Sequence, residues 1–358
     1  MDTIQDLPGM VRVIKQLRRV IRQGEPITVT ADGFWQVRTA DFLYAIPFPP
    51  VIPPGVYWDL PSLLPLFDRG IGTVEREQDL TLINGVPFKD VAGFPEAIPD
   101  VTAAGWTLVG AISPGEWDRL RYGLAKDEHR PILQRVGIEP GHAVATDGTM
   151  IIAVYGIGRA DGPRLNLPWV PLTGDALLWT HANQWVISAP DLWVWGKSDA
   201  DRYPDTTRIW PTQAPDYQGT LGVQATLAQW TAMARVGWKD LGKKEYATLS
   251  GYIRVSDGGW AKATDWLPDT VPATAAIQRI AWNPDYVVRA LKACPNPRGE
   301  AHWQVFAPDA QETSEPWGGL LQISQGETRI VVLSYRGLVS IPAMTQTQED
   351  DHANSSAM

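Results

Sequence analysis

Cysteine is nearly absent: Cys294 is the single one in 358 residues. That excludes a disulfide framework and a cysteine-built zinc site. Histidine is sparse too. His129, His142, His181, His302 and His352 contain no HxH or HxxxH pair, so no metal-ligand spacing is present. No apolar run approaches the roughly 20 residues that span a bilayer. The opening stretch MDTIQDLPGM is acidic and lacks the basic and apolar regions of a secretion signal. These absences lead us to expect a cytoplasmic protein with no membrane partner. The nucleotide motif GxxxxGKS/T and the hydrolase motif GxSxG are both missing. GIGRADG at 156–162 imitates a glycine-rich nucleotide loop, but Pro163 and the stretch RLNLPWVP after it deny it a helix. No nucleophile–base constellation appears either, so neither an enzyme nor a cofactor is expected.

The remaining composition is that of an ordinary soluble globular chain, 44% apolar and 20% charged, which excludes disorder as the main state. At roughly 100–200 residues per domain, two or three domains are predicted. The net charge of −9, from 31 basic and 40 acidic residues, argues against a protein that coats nucleic acid with its whole surface. A local basic surface stays open. Seventeen tryptophans and 30 prolines also leave open a glycan-binding β protein, which would need exposed tryptophans in a row.

The chain repeats itself. ADGFWQVRTAD (31–41), EPGHAVATDG (139–148) and VSDGGWAKATD (255–265) each hold a glycine turn, alternating strand residues and a closing aspartate, Asp41, Asp147 or Asp265. GFPEAIPD (93–100) and RYPDTTRIWP (202–211) form a second matched set. A third set is read as helical: WDLPSLLPLF (58–67), TGDALLWTHA (173–182) and NPDYVVRALKA (283–293). Three markers with a period of about 110 residues point to a triplication. Each unit reads as helix, strands, second helix, strands. The opening helices are expected at 10–23, 113–125 (with Ser113 as N-cap and Pro114 in the first turn) and 226–244. This is an α+β pattern with helices on one face of antiparallel sheet. Equivalent placement in three repeats gives the aspartates a turn role rather than a shared Mg²⁺ site. His142 is expected exposed in a hairpin turn, and Cys294 packed and inert at a helix end.

The expected helices carry the positive charge. MVRVIKQLRRVIRQ sets Val11, Ile14, Leu17 and Ile21 on one face, while Arg12, Lys15, Arg18, Arg19 and Arg22 occupy the rest with no acidic residue. The bias recurs in Arg119, Arg121 and Lys126, in Arg235, Lys239, Lys243 and Lys244, and in Arg289 and Lys292. Segregation of this kind suits a surface that faces phosphate on an otherwise acidic protein.

The ordered motifs resemble the bacterial DNA polymerase III β subunit, the sliding clamp. RPILQRVGIE followed by ATDG (Arg130–Glu139, Ala145–Gly148) is similar to that family's middle domain, and RYPDTTRIWP to the stretch that closes it. WNPDYVVRALKAC (282–294) is similar to its Phe-Asn-x-x-Tyr-Leu-x-x-x-Leu helix, and LVSIPAM (338–344) to its Met-Pro-Met ending. The order agrees over 110–344. The first unit is shorter and more divergent, with GFPEAIPD as its match.

The resemblance implies three repeated clamp-type domains of two helices plus antiparallel sheet, here at 1–108, 109–218 and 219–345, followed by a disordered acidic tail, 346–358. It implies a head-to-tail homodimer ring with helices lining a central hole. Duplex DNA would be encircled and held by sequence-blind phosphate contacts from the basic residues named above. It also implies a peptide cleft between the second and third domains for linear motifs of a replicative polymerase and a clamp loader. The matching positions are Leu133, Thr146, Gly148, Thr149, Met150, Ile151, Pro211, Val339, Ile341, Pro342 and Ala343. Thr149 and Met150 stand where the family has His-Arg, and Ile341-Pro342-Ala343 where it has Met-Pro-Met, so a different peptide preference is expected. The divergence and the tryptophan excess fit a clamp encoded by a virus of bacteria or another mobile element. A clamp-fold decoy that does not encircle DNA is the alternative within the same fold.

Overall fold

Short strands make up most of the secondary structure among the described residues. The computed structural model describes residues 27–30, 33–39, 42–47, 55–57, 74–77, 80–83, 86–89, 97–127, 129–190, 192–198, 203–235, 246–248, 252–254, 260–262, 281–306 and 319–333. The expected helices at 10–23 and 58–67 lie outside them, as do Asp41, Asp265 and the tail.

Two meanders repeat one plan. In the first, β1 (Ile27–Val29), β2 (Phe34–Arg38) and β3 (Phe42–Pro47) run antiparallel, with β4 (Gly55–Tyr57) beside β1. A three-stranded sheet follows, β5 (Val74–Glu77), β6 (Leu80–Ile83) and β7 (Val86–Lys89), and then β8 (Thr107–Ile112). In the second meander, β9 (Arg135–Glu139), β10 (His142–Thr146) and β11 (Met150–Tyr155) are flanked by β12 (Leu165–Pro168). Gly33 and Gly141 close the equivalent hairpins at φ of 85° and 79°, a region that costs glycine nothing.

After β12 come β13 (Ala176–His181), β14 (Gln184–Ala189), β15 (Leu192–Lys197) and β16 (Tyr217–Gly222). The third part holds β17 (Tyr246–Thr248), β18 (Tyr252–Arg254), β19 (Trp260–Lys262) and β20 (Ala281–Trp282), then β21 (Glu300–Phe306), β22 (Leu320–Gln325) and β23 (Thr328–Leu333).

The sheet orders expose the repeat. One eight-stranded sheet runs β4–β1–β2–β3–β15–β14–β13–β8, and the other β12–β9–β10–β11–β23–β22–β21–β16. Position by position they are the same arrangement, shifted along the chain. In each, a meander joins the following hairpin set through one antiparallel seam. The first seam pairs Leu43 with Trp195 and Ala45 with Trp193. The second pairs Met150 with Val332 and Ile151 with Val331. A four-stranded sheet, β19–β18–β17–β20, and the three-stranded β5–β6–β7 complete the set.

Three α-helices lie among the described residues, and all pack on one face of the second sheet. The first, α1 (Pro114–Leu120), starts with a reciprocal capping box: the Glu116 N–H donates to Ser113 Oγ (3.3 Å) and the Ser113 N–H to Glu116 Oε2 (2.8 Å). In α3 (Pro284–Lys292), Asn283 Oδ1 accepts the Asp285 N–H at 3.0 Å, and Pro284 occupies the first turn. Between them in sequence, α2 (Val223–Arg235) packs against α3. Trp117, Leu120, Trp230, Val287 and Leu291 share one core with Ile138, Ala145, Ile152, Ile330 and Val332 from the strands beneath. Tryptophans anchor this core: Trp117, Trp185, Trp230, Trp282 and Trp303 are fully buried. At roughly 150–250 Å² each they are its largest apolar components.

The α+β expectation holds, but the second unit departs from the expected two helices. Within residues 109–218, α1 is the one α-helix among those described. TGDALLWTHA, read as helical, supplies strand β13 instead. Burial alternates there, with Ala176 and Leu178 buried and Leu177 exposed, and β13 bonds to β8 on one side and β14 on the other. Two waiting strands outweigh a weak helical pattern. The Pro168–Leu172 segment that precedes β13 is tied to α1: Trp169 Nε1 donates to Trp117 O at 3.1 Å and Trp117 Nε1 donates to Val170 O at 2.6 Å. Helix α1 is also shorter than the expected 113–125; α2 begins at Val223, ahead of the expected 226, and is described to Arg235, with 236–244 outside the described residues.

Candidate functional site

Residues on β10 and β11 alternate between the two faces of the second sheet. Ala143, Ala145, Met150 and Ile152 face the helices. Val144 and Ile151 face the other way and cluster with Tyr203, with Ile132, Ile209 and Trp210 half-buried around them. Tyr203 is the centre of this outer site. Its hydroxyl accepts the Thr146 N–H at 3.1 Å. Its ring lies over Gly137, where a Cβ would stand 2.9 Å from a ring carbon. Burial pushes the phenol well above its ordinary range, so it stays protonated.

The turn between β10 and β11 is tightly specified. Thr146 Oγ1 donates to Met150 O at 2.8 Å and accepts the Gly148 N–H at 3.0 Å. Asp147 Oδ1 accepts the Thr149 and Met150 N–H groups at 2.9 and 3.0 Å. Gly148 takes a φ of 89°. Asp147 therefore has the turn role expected of it.

The expected cleft residues fall as follows. Leu133 is buried in a 3₁₀ turn, Pro131–Gln134. Thr146 and Ile151 are buried in the outer site, Gly148 is exposed, and Thr149 and Pro211 are half-buried. Met150 turns inward and belongs to the helix-side core. Val339, Ile341, Pro342 and Ala343 lie outside the described residues. Sequence reasoning missed Val144, Tyr203, Ile209 and Trp210. A period-two reading of HAVAT would have found Val144 beside Thr146, since both sit on one face.

The basic residues are less uniform than their helical spacing implied. Arg12, Lys15, Arg18, Arg19, Arg22, Lys239 and Lys243 lie outside the described residues, and Arg235 is the last residue of α2. The residues of α2 described as exposed, Gln224, Ala225, Ala228 and Ala232, are uncharged. Lys126 and Lys292 are exposed. Arg121 pairs with Asp118 at 3.1 Å and stacks over Tyr122. Arg119 is half-buried and reaches Thr328 Oγ1 at 3.4 Å, and burial lowers its pKa, an effect Glu116 opposes. Arg289 is 19% exposed and engages Asp147 Oδ2 at 2.7 Å.

Other residues settle smaller points. His142 is not an exposed turn residue: it opens β10, half-buried, with its ring stacked on Tyr155 at 5.2 Å. Cys294 is buried, and its thiol is pushed up to about 12 by burial. No cluster of three or more potential metal ligands occurs among the described residues. No helix among them is long and apolar enough to cross a membrane. Every tryptophan of described burial is buried or half-buried, so the described residues present no exposed row of the kind a glycan-binding protein would need.

No family model matches the chain, and no curated protein matches it in sequence. Solved structures do. The DNA polymerase sliding clamp from Bacillus subtilis superposes with a TM-score of 0.64 at 14% identity, over 94% of this chain and 98% of that one. The DNA polymerase III β subunit from Thermotoga maritima gives 0.65 at 12%, over 91% and 95%. The β subunit from the DNA polymerase of Streptococcus pyogenes gives 0.65 at 13%, over 93% and 99%. The seam-joined, shifted sheets with helices on one face are thus the sliding-clamp fold of bacterial DNA polymerase III β subunits, carried by a sequence only 12–14% identical to theirs.

Proposed function

We propose that this protein is a DNA sliding clamp, a non-enzymatic processivity factor that encircles duplex DNA as a head-to-tail homodimer. The observation that carries this is a pair of unmatched sheet edges. Both seams within the chain join the same two strand positions, β3 to β15 and β11 to β23. In the four-stranded sheet, β19 stands at the position of β3 and β11, and in the three-stranded sheet β7 stands at that of β15 and β23. Neither has a strand partner on that side among the described residues. A second copy would supply each with the partner its counterparts have, and a heterologous contact whose rotation closes makes a ring. The units are 1–108, 109–218 and 219–345.

DNA would run past the helix side, held by Arg12, Lys15, Arg18, Arg19 and Arg22, with Arg121, Lys126, Arg235, Lys239, Lys243 and Lys292 in support. Such contacts stay weak and sequence-blind, so the ring slides while topology retains it. On the outer face, the groove around Tyr203 would take apolar anchors of polymerase and loader peptides. A cytoplasmic setting and a viral or mobile-element origin complete the reading.

The test joins the two edges. Phe88→Cys and Ala261→Cys, treated with a short bis-maleimide, should yield a covalently closed dimer of twice the chain mass. Loaded on nicked circular DNA, it should stay bound through high salt and leave when the circle is linearised. A protein that remains monomeric and never becomes salt-resistant on circles would instead be the decoy.

A further inference from the structure

Arg289 leaves the helix side of the sheet and ends at the turn that shapes the outer groove. Its Nη1 donates to Asp147 Oδ2 at 2.7 Å, its Nε to Tyr122 O at 2.8 Å and its Nη2 to Leu124 O at 3.2 Å. The two carbonyls follow the last turn of α1, where backbone acceptors lack helical partners. Gly123 lies between them, so close to β10 that a Cβ would stand 2.6 Å from Ala145 O. The Tyr286 ring backs the guanidinium, 5.2 Å from centroid to Cζ.

One planar fork thus meets three acceptors of the second unit from a helix of the third, a geometry that an ammonium group does not reproduce. The Asp147 carboxylate is divided: one oxygen holds the Thr149 and Met150 amides and the other holds Arg289. With side chains only 19% and 9% exposed, water compensates little if either partner is removed.

We propose that Arg289 is a positioning residue that sets the 146–150 turn, so that peptide affinity of the outer groove depends on a side chain from the opposite face of the sheet. This rests on the reading of that groove as a peptide cleft. It also takes Arg289 out of the phosphate-facing set.

The experiment uses the full chain, a fluorescein-labelled synthetic peptide carrying a Leu-Phe pair, and hydrogen exchange at the Thr149 and Met150 amides. Asp147→Asn keeps an acceptor for the turn but turns an NH₂ toward Arg289. Arg289→Met removes the fork, and Arg289→Lys keeps the charge should the Met variant fold poorly. Each single variant should weaken peptide binding about 5- to 10-fold and speed exchange at both amides. The Asp147→Asn/Arg289→Met double variant should be no worse than either single one. Additive losses, or unchanged exchange at both amides in the Arg289 variants, would overturn the proposal. A wild-type protein that ignores the peptide would sink the cleft reading alone, and the exchange data would still decide whether Arg289 sets the turn.

Discussion

The two seams share one topology but are finished with opposite chemistry. Across the outer face of the first sheet, Leu108, Trp179, Val186, Trp195 and Leu43 stand in register on neighbouring strands. The equivalent row of the second sheet is Gln218, Gln304, Gln322, Val331 and Ile151. Ile98, Val101 and Trp106 pack against most of the first row, where Val186 is fully buried and Trp195 is 8% exposed, while Leu108 at its edge is 38% exposed. The second carries a glutamine ladder, Gln322 Nε2 donating to Gln304 Oε1 at 2.8 Å and Gln304 Nε2 to Gln218 Oε1 at 3.3 Å. Its apolar end meets Tyr203 and Trp210. Both seam pairs are buried, so one backbone plan carries a largely apolar outer row in the first sheet and, beyond Val331 and Ile151, a glutamine ladder in the second.

Four measurements sharpen or break that contrast. The largest expected effect is chemical. Cys294 sits behind the second seam with its thiol pushed up to about 12 by burial, an effect Arg119 opposes. Alkylation of the native protein at mildly alkaline pH should be on the order of a thousandfold slower than that of the unfolded chain. The unfolded thiol ionises first as pH rises, so stability falls from the ordinary thiol pKa up to about 12. Labelling of the native protein at the unfolded rate would mean that the second seam opens freely.

Trp195→Ala at the first seam should cost about 3–5 kcal/mol, read as a lower urea midpoint. A loss under about 1 kcal/mol would mean the tryptophan row is decoration rather than a seal. Gly123→Ala comes next. Its Cβ meets backbone at Ala145 O, so α1 and β10 must separate, at a cost of about 1–3 kcal/mol. The smallest effect is expected at the ladder: Gln322→Ala should change stability by no more than about 0.5 kcal/mol, because its amide is half-exposed and water replaces the bond. A larger loss there would erase the contrast between the two outer faces.

Much of this was legible beforehand. The hairpins at 31–41 and 139–148 announce themselves through glycine turns and alternation, and the Ser113 and Asn283 caps through side chains that bond a few residues away. Asp147 was readable as a turn residue for the same reason. The outer site was half legible. Thr146 and Ile151 belong to it, but Met150 turns inward because β11 alternates, and Tyr203 arrives from a segment more than fifty residues away. The basic helices illustrate the same limit: a count of charges by spacing does not show that Arg289 is spent on protein acceptors or that α2 turns alanines to solvent.

By itself the sequence determined what is settled within a few residues: turns, caps, strand alternation, and a unit repeated along the chain. The tertiary structure decided what depends on a distant partner. It made 173–182 a strand, because β8 and β14 offered backbone bonds on both sides. It turned Arg289 into a tie between α3 and the β10–β11 turn, because Asp147 and two orphan carbonyls lay within reach of one planar fork. It gave two seams of equal topology different outer faces, because each strand face is completed by whichever segment folds back over it. Local signals select conformations, but burial and pairing are properties of neighbours that the chain brings together only on folding.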